Sequence, residues 1–68
     1  MNSLFVREAC LELGYVEPIN IETTGKVWLG DDSSNPTFLT DAQQAIVESK
    51  TDEIHQAYLI AHPVPSLG

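Results

Sequence analysis

"INIETTGKVWL", residues Ile19 to Leu29, is the stretch on which the fold turns. Its apolar residues alternate on either side of a Thr-Thr-Gly centre, which reads as two short strands joined by a tight turn. Two loop lengths compete. A two-residue loop, Thr24-Gly25, sets Glu22 against Val27 and Asn20 against Leu29, mixing polar and apolar side chains on one face. A three-residue loop, Thr23-Thr24-Gly25, puts glycine at the left-handed third position of a type I turn with a bulge. It pairs Glu22 with Lys26, Ile21 with Val27 and Ile19 with Leu29, and the two faces separate. The longer loop is the expected one. Strand alternation then sends Ile19, Ile21, Val27 and Leu29 to one face and Trp28, beside Asn20, to the other.

Upstream, Val6, Ala9, Cys10 and Leu13 follow the spacing of one buried helical face. Asn2 or Ser3 is an acceptable N-cap, and Gly14 stands where a left-handed residue closes a helix. A short helix from there to Leu13 is expected, lying on the apolar face of the hairpin, with Arg7, Glu8 and Glu12 pointing elsewhere. Pro18 forces an extended entry into the first strand. Downstream, "GDDSSNP", Gly30 to Pro36, is a turn-rich loop. Thr40 with Gln43 forms a capping box, so a long helix is expected from Asp41 to about Ala61, stopped by Pro63. The fold class is therefore α+β: a short N-terminal helix, a two-stranded antiparallel hairpin, a long C-terminal helix and an extended tail. Residues 1–62 form a single small domain and 63–68 the tail.

At 68 residues the chain makes one domain. A core of this size rarely supplies more than about 3–5 kcal/mol without a staple. Cys10 is alone, so no disulfide forms within the chain. The 43% hydrophobic content is too high for disorder throughout. Net charge is −7, and Arg7, Lys26 and Lys50 are the only basic residues. Binding nucleic acid requires cations that release counterions from phosphates, and no basic patch exists, so neither nucleic acid nor an anionic membrane is an expected partner. No apolar run of membrane-spanning length is present, and the start, with Glu8 and Glu12, lacks the basic region of a signal peptide. A lone cysteine suits synthesis in a reducing cytoplasm.

Constellations for chemistry are sparse. His55 and His62 share a helical face, and Cys10 is a free thiol, but three or four converging ligands are needed for zinc. "DDSSN" has Asp31, Ser33 and Asn35 at alternate positions, yet Pro36 and Ala42 stand where a calcium loop wants Gly and Glu. That stretch reads as turn chemistry. Cys10 lies on the buried stripe, the carboxylates are scattered, and no glycine-rich phosphate loop occurs. No enzyme, no catalytic residue, no metal and no cofactor is expected.

What remains is apolar surface in excess of cover. The long helix measures roughly 30 Å against roughly 17 Å for the first. Its middle, "ESKTDE", is polar almost all round, and its far end, "IHQAYLIAH", turns apolar again. Either the Trp28 face of the hairpin meets that far end through a kink near Thr51, or one or both surfaces meet other protein chains. Trp28, Phe38, Tyr58, Leu59 and Ile60 are the candidate partner-interface residues.

In order, the elements resemble the XkdW-like family of short phage-encoded proteins, through "ACLELGY", "INIETTGKVWL" and "NPTFLTDAQQAI", roughly residues 9–46. The family usually has Asp-Gly at the hairpin turn, where this chain has Thr24-Gly25, and its second helix starts sooner after the Pro-Thr step. The resemblance implies the company of tail, baseplate and tail-fibre genes. It therefore implies a virion structural protein, localised to the virion, whose partners are tail, fibre or baseplate subunits or further copies of itself. It transfers no catalytic residues. A head decoration protein is the nearest competitor. The alternatives from other classes are a small acidic inhibitor of a host protein and a fibre assembly chaperone.

Overall fold

The computed structural model describes residues 3–63; the tail expected over 63–68 lies outside the described residues except for Pro63, and so does the candidate cap Asn2. The elements run α1 (Ser3–Glu12), β1 (Ile19–Ile21), β2 (Val27–Leu29), β3 (Thr37–Phe38) and α2 (Asp41–Ala61). The chain is α+β, with a sheet ordered β1-β2-β3 and both pairings antiparallel.

The hairpin takes the longer loop. Ile19 faces Leu29, Asn20 faces Trp28 and Ile21 faces Val27. The Glu22 amide donates to the Lys26 carbonyl at 2.8 Å, and Gly25 has the positive φ (91°) that its place in the turn demands. Ile19 and Val27 are buried, and Ile21 and Leu29 pack against the core from its edge. The third strand is a correction to the two-stranded expectation. Thr37 pairs with Leu29 and Phe38 with Trp28, and the Leu39 amide reaches the Val27 carbonyl at 3.2 Å. Two residues are too few for a periodic signal, and Pro36 immediately before them reads as loop.

At the end of α1 the chain closes in a Schellman arrangement: Tyr15 N–H donates to the Cys10 carbonyl at 3.0 Å and Gly14 N–H to Leu11 at 3.1 Å. Gly14, at φ 96°, turns the chain away at this point. Leu13 therefore leaves the helical path before its side chain can join Val6, Ala9 and Cys10, and it is 39% exposed where burial was expected. Tyr15 packs on the core instead. The Glu17–Pro18 peptide bond is cis. Glu17 folds back there: its Oε1 accepts from the Ile19 amide at 2.7 Å and its Oε2 from Arg7 at 2.8 Å.

Helix α2 begins as expected. Gln43 N–H donates to the Thr40 hydroxyl at 3.1 Å, and Thr40 N–H to the Gln43 side chain at 3.0 Å. It runs without interruption to Ala61, so no kink at Thr51 brings its far end back to the sheet. Instead α1 lies antiparallel along it. Phe5, near the start of α1, meets His55 and Tyr58, while Glu12, at its end, meets Lys50.

The buried stripe of α2 is Val47 and Thr51, continued by the half-buried Ile54. Thr51 sits in the stretch that reads as polar, yet it is 1% exposed. Its hydroxyl donates to the Val47 carbonyl one turn back at 2.7 Å, which satisfies the polar atom locally and lets the residue act as core. Thr51→Val keeps the shape and removes a buried hydroxyl whose acceptor is already used by the helix. It is expected to stabilise the fold by up to about 1 kcal/mol, read as a higher urea midpoint. A lower midpoint would show that the hydroxyl bond itself contributes.

Candidate interaction surfaces

The outer face of the sheet is built by alternation. Trp28 stands between Asn20 on β1 and Phe38 on β3, and all three point away from the helices. Asn20 fixes its end of the row: its Nδ2 donates to the Gly30 carbonyl at 2.6 Å and to the Trp28 carbonyl at 3.4 Å. Phe38 is 40% exposed, with the Lys26 ammonium 5.1 Å from its ring centroid, within cation–π range. Trp28 is half-buried by these neighbours.

The second surface is the far end of α2. Phe5 stacks on His55 with centroids 5.4 Å apart and leans on Tyr58 at 5.3 Å; Tyr58 contacts His62 at 4.4 Å. Tyr58 is still 46% exposed and Ile60 82%. Leu59 is half-buried. Successive residues turn by about 100° on a helix, so Tyr58, Leu59 and Ile60 cannot all face one way. The five interface candidates thus fall into two groups. Trp28 and Phe38 are brought together as a cross-strand pair, and Tyr58, Leu59 and Ile60 lie at the other end of the molecule.

Between α1 and the distal half of α2 runs a groove of about 390 Å³. From α1 it is lined by Phe5, Glu8 and Glu12; from α2 it takes Lys50, Glu53, Ile54 and the residues onward to His62 that recur at three- and four-residue intervals. Lys50 sits 3.5 Å from both Glu12 and Glu53. Phe5, Glu8 and Glu12 stand at the three- and four-residue spacing of one helical side, although Glu8 and Glu12 were expected only to point away from the buried face. What could not be read was that α1 lies antiparallel against α2, which makes that side a wall.

The residues weighed for metal and thiol chemistry are dispersed. Among the described residues no group of three or more His, Cys, Asp or Glu side chains is placed to hold a metal ion. Asp32 is committed to its loop: its Oδ1 accepts from the Ser34 hydroxyl at 2.6 Å and the Ser34 amide at 3.1 Å, bonds that hold its carboxyl below the usual range. No helix among the described residues is long and apolar enough to cross a membrane.

Cys10 is buried in the core, and burial is the main cause that pushes its thiol upward; its own backbone hydrogen bond partly opposes this, and the Glu17 charge adds to it. The unfolded thiol deprotonates first, at about pH 8.5. The unfolded state then binds fewer protons than the native one, so the contribution to stability is whole below that value and is lost as pH rises toward the folded value. Urea midpoints are expected to fall between pH 8 and pH 10, and the Cys10 part of that fall should vanish in Cys10→Val. Modification of the native protein by a thiol reagent should follow unfolding. Equal pH slopes for the two proteins, or immediate modification, would contradict the burial argument.

No family model, curated protein or solved structure matches the chain.

Proposed function

We propose that the protein is a structural subunit of a bacteriophage virion, in its tail, tail fibre or baseplate, and that it works by packing against neighbouring proteins. One observation carries the packing role: large apolar side chains lie outside the core at both ends of a 21-residue helix. Trp28 and Phe38 form a row on the open face of the sheet, and the exposed Tyr58 and Ile60 lie at the far end of α2. Large apolar side chains left open at the two ends of a small domain support a role in contacts with other proteins. The placement in a phage particle rests on the resemblance carried by residues 9–46.

The shape suits a strut. The principal extents are 49 × 19 × 19 Å, so the long axis exceeds either width more than twofold. Helix α2 supplies the stiffness, because its hydrogen bonds run unbroken and α1 braces its middle. Partners that cover both ends would add the buried area that so small a core lacks.

The experiment is quantitative mass spectrometry of purified mature particles of the phage encoding the chain. A fixed copy number per particle is the expected result. Absence from particles that are otherwise complete would overturn the structural role and leave an assembly chaperone or an inhibitor of a host protein.

A further inference from the structure

We infer that the groove between α1 and the distal half of α2 receives an arginine side chain presented by the partner protein. The inference rests on the reading of the chain as a subunit that packs on other proteins, and it assigns the chemistry of one contact.

Charge complementarity sets the sign of the occupant. The chain has three basic side chains, and each is already engaged: Arg7 with Glu17, Lys26 over Phe38, and Lys50 between Glu12 and Glu53. In the groove three carboxylates, Glu8, Glu12 and Glu53, face a single ammonium, and Glu8 makes no ion pair among the described residues. A second copy of this chain, at net charge −7 and with no cation to spare, is a poor occupant. A cation from elsewhere is a good one.

The apolar lining narrows the choice from any cation to arginine. Phe5 and Ile54 are half-buried in the groove and Tyr58 is beside them, with His55 against the Phe5 ring and His62 against the Tyr58 ring, so the stem of the incoming side chain meets hydrocarbon and the aromatic surface these contacts leave open. A guanidinium stacks on aromatic rings and engages carboxylates through a planar fork, whereas an ammonium remains strongly hydrated. Ile60, exposed one helical step away from this lining, gives the partner's flanking residues an apolar footing.

The test is an amide NMR titration of the full chain with L-argininamide, with L-citrullinamide as the uncharged isostere. Argininamide is expected to give saturable shifts confined to Phe5, Glu8, Glu53, Tyr58 and their neighbours, and citrullinamide none. Glu8→Gln and Glu53→Gln, both at exposed positions, should each weaken argininamide by about two- to fivefold. Raising the salt should weaken it further. Linear shifts spread over remote carboxylates such as Asp31 and Asp41, and unchanged by Glu8→Gln, would overturn the site. The two readings fail separately. Saturable binding by a chain absent from particles would sink the virion role and leave the groove standing; a chain present in particles whose groove does not saturate would sink the groove alone.

Discussion

Replacing Gln44 by leucine is expected to remove about 1–3 kcal/mol from the stability of the fold, although the volume of the side chain is nearly kept. Gln44 is where α2 grips the sheet. Val27 is fully buried, and its C=O is taken by Leu39, but β3 ends there and supplies no acceptor for the Val27 N–H. The Gln44 side chain fills the vacancy: its Oε1 accepts from Val27 N–H at 3.1 Å, and its Nε2 donates to the Gly25 carbonyl at 3.0 Å and to Glu48 at 3.1 Å. Leucine would set hydrocarbon against a backbone donor and a backbone acceptor together. For a domain of this size each kcal/mol moves Tm by roughly 4–8 °C, so the loss should be plain in a thermal scan. Gln44→Glu refines the test. The introduced carboxylate can still accept from Val27, but at neutral pH it faces the Gly25 carbonyl and lies one helical turn from Glu48. Its deficit relative to the natural protein should shrink as pH falls and the carboxyl gains a proton to donate. An unaltered Tm for Gln44→Leu would mean that water serves the two backbone groups just as well.

The same residue shows where reading the sequence stops. The hairpin register followed from alternation and from Gly25, because a slip by one residue would carry every side chain to the wrong face. The capping box and the length of α2 were equally local, resting on Thr40, Gln43 and Pro63. Gln44 carried no signal, since a glutamine in the first turns of a helix is ordinary; only the end of β3 and the closeness of α2 give it its role. Thr51 hid for a related reason: its hydroxyl bonds within the helix, so a polar letter behaves as core. For the surfaces, the residue types pointed to Trp28, Phe38, Tyr58, Leu59 and Ile60, and the expectation of uncovered apolar surface came from comparing helix lengths. Their division into two patches, and the groove lined by Phe5 and Glu8, depended on the direction in which α1 crosses α2. No periodicity encodes that.

Ile60→Asp is expected to leave folding within about 0.5 kcal/mol of the natural protein, because a side chain 82% exposed has little to lose. On the proposed virion role, incorporation into particles should nevertheless collapse, since a carboxylate would then have to be buried without a partner in an apolar contact. Trp28→Ser is its counterpart at the sheet. It should cost folding about 1–2 kcal/mol, through the lost burial of the half-covered ring and the lost cross-strand pair with Phe38. Its effect on association should be larger, about 2 kcal/mol or more if Trp28 anchors the contact, or roughly thirtyfold in affinity. Copy number per particle, measured in competition with tagged natural protein and beside Tm, separates association from folding. Normal incorporation of both variants would make these faces plain solvent surface and remove the packing role. The distance between them decides how many neighbours are involved. Trp28 lies beside the residue that Gln44 holds, and Gln44 and Ile60 are roughly 24 Å apart along α2 at 1.5 Å per residue. Contacts so far apart act independently. If one neighbour spans both patches, each variant weakens the same pairwise complex and the losses add. If two neighbours are bridged, Trp28→Ser abolishes one complex and spares the other, Ile60→Asp does the reverse, and the chain is a strut joining two different surfaces.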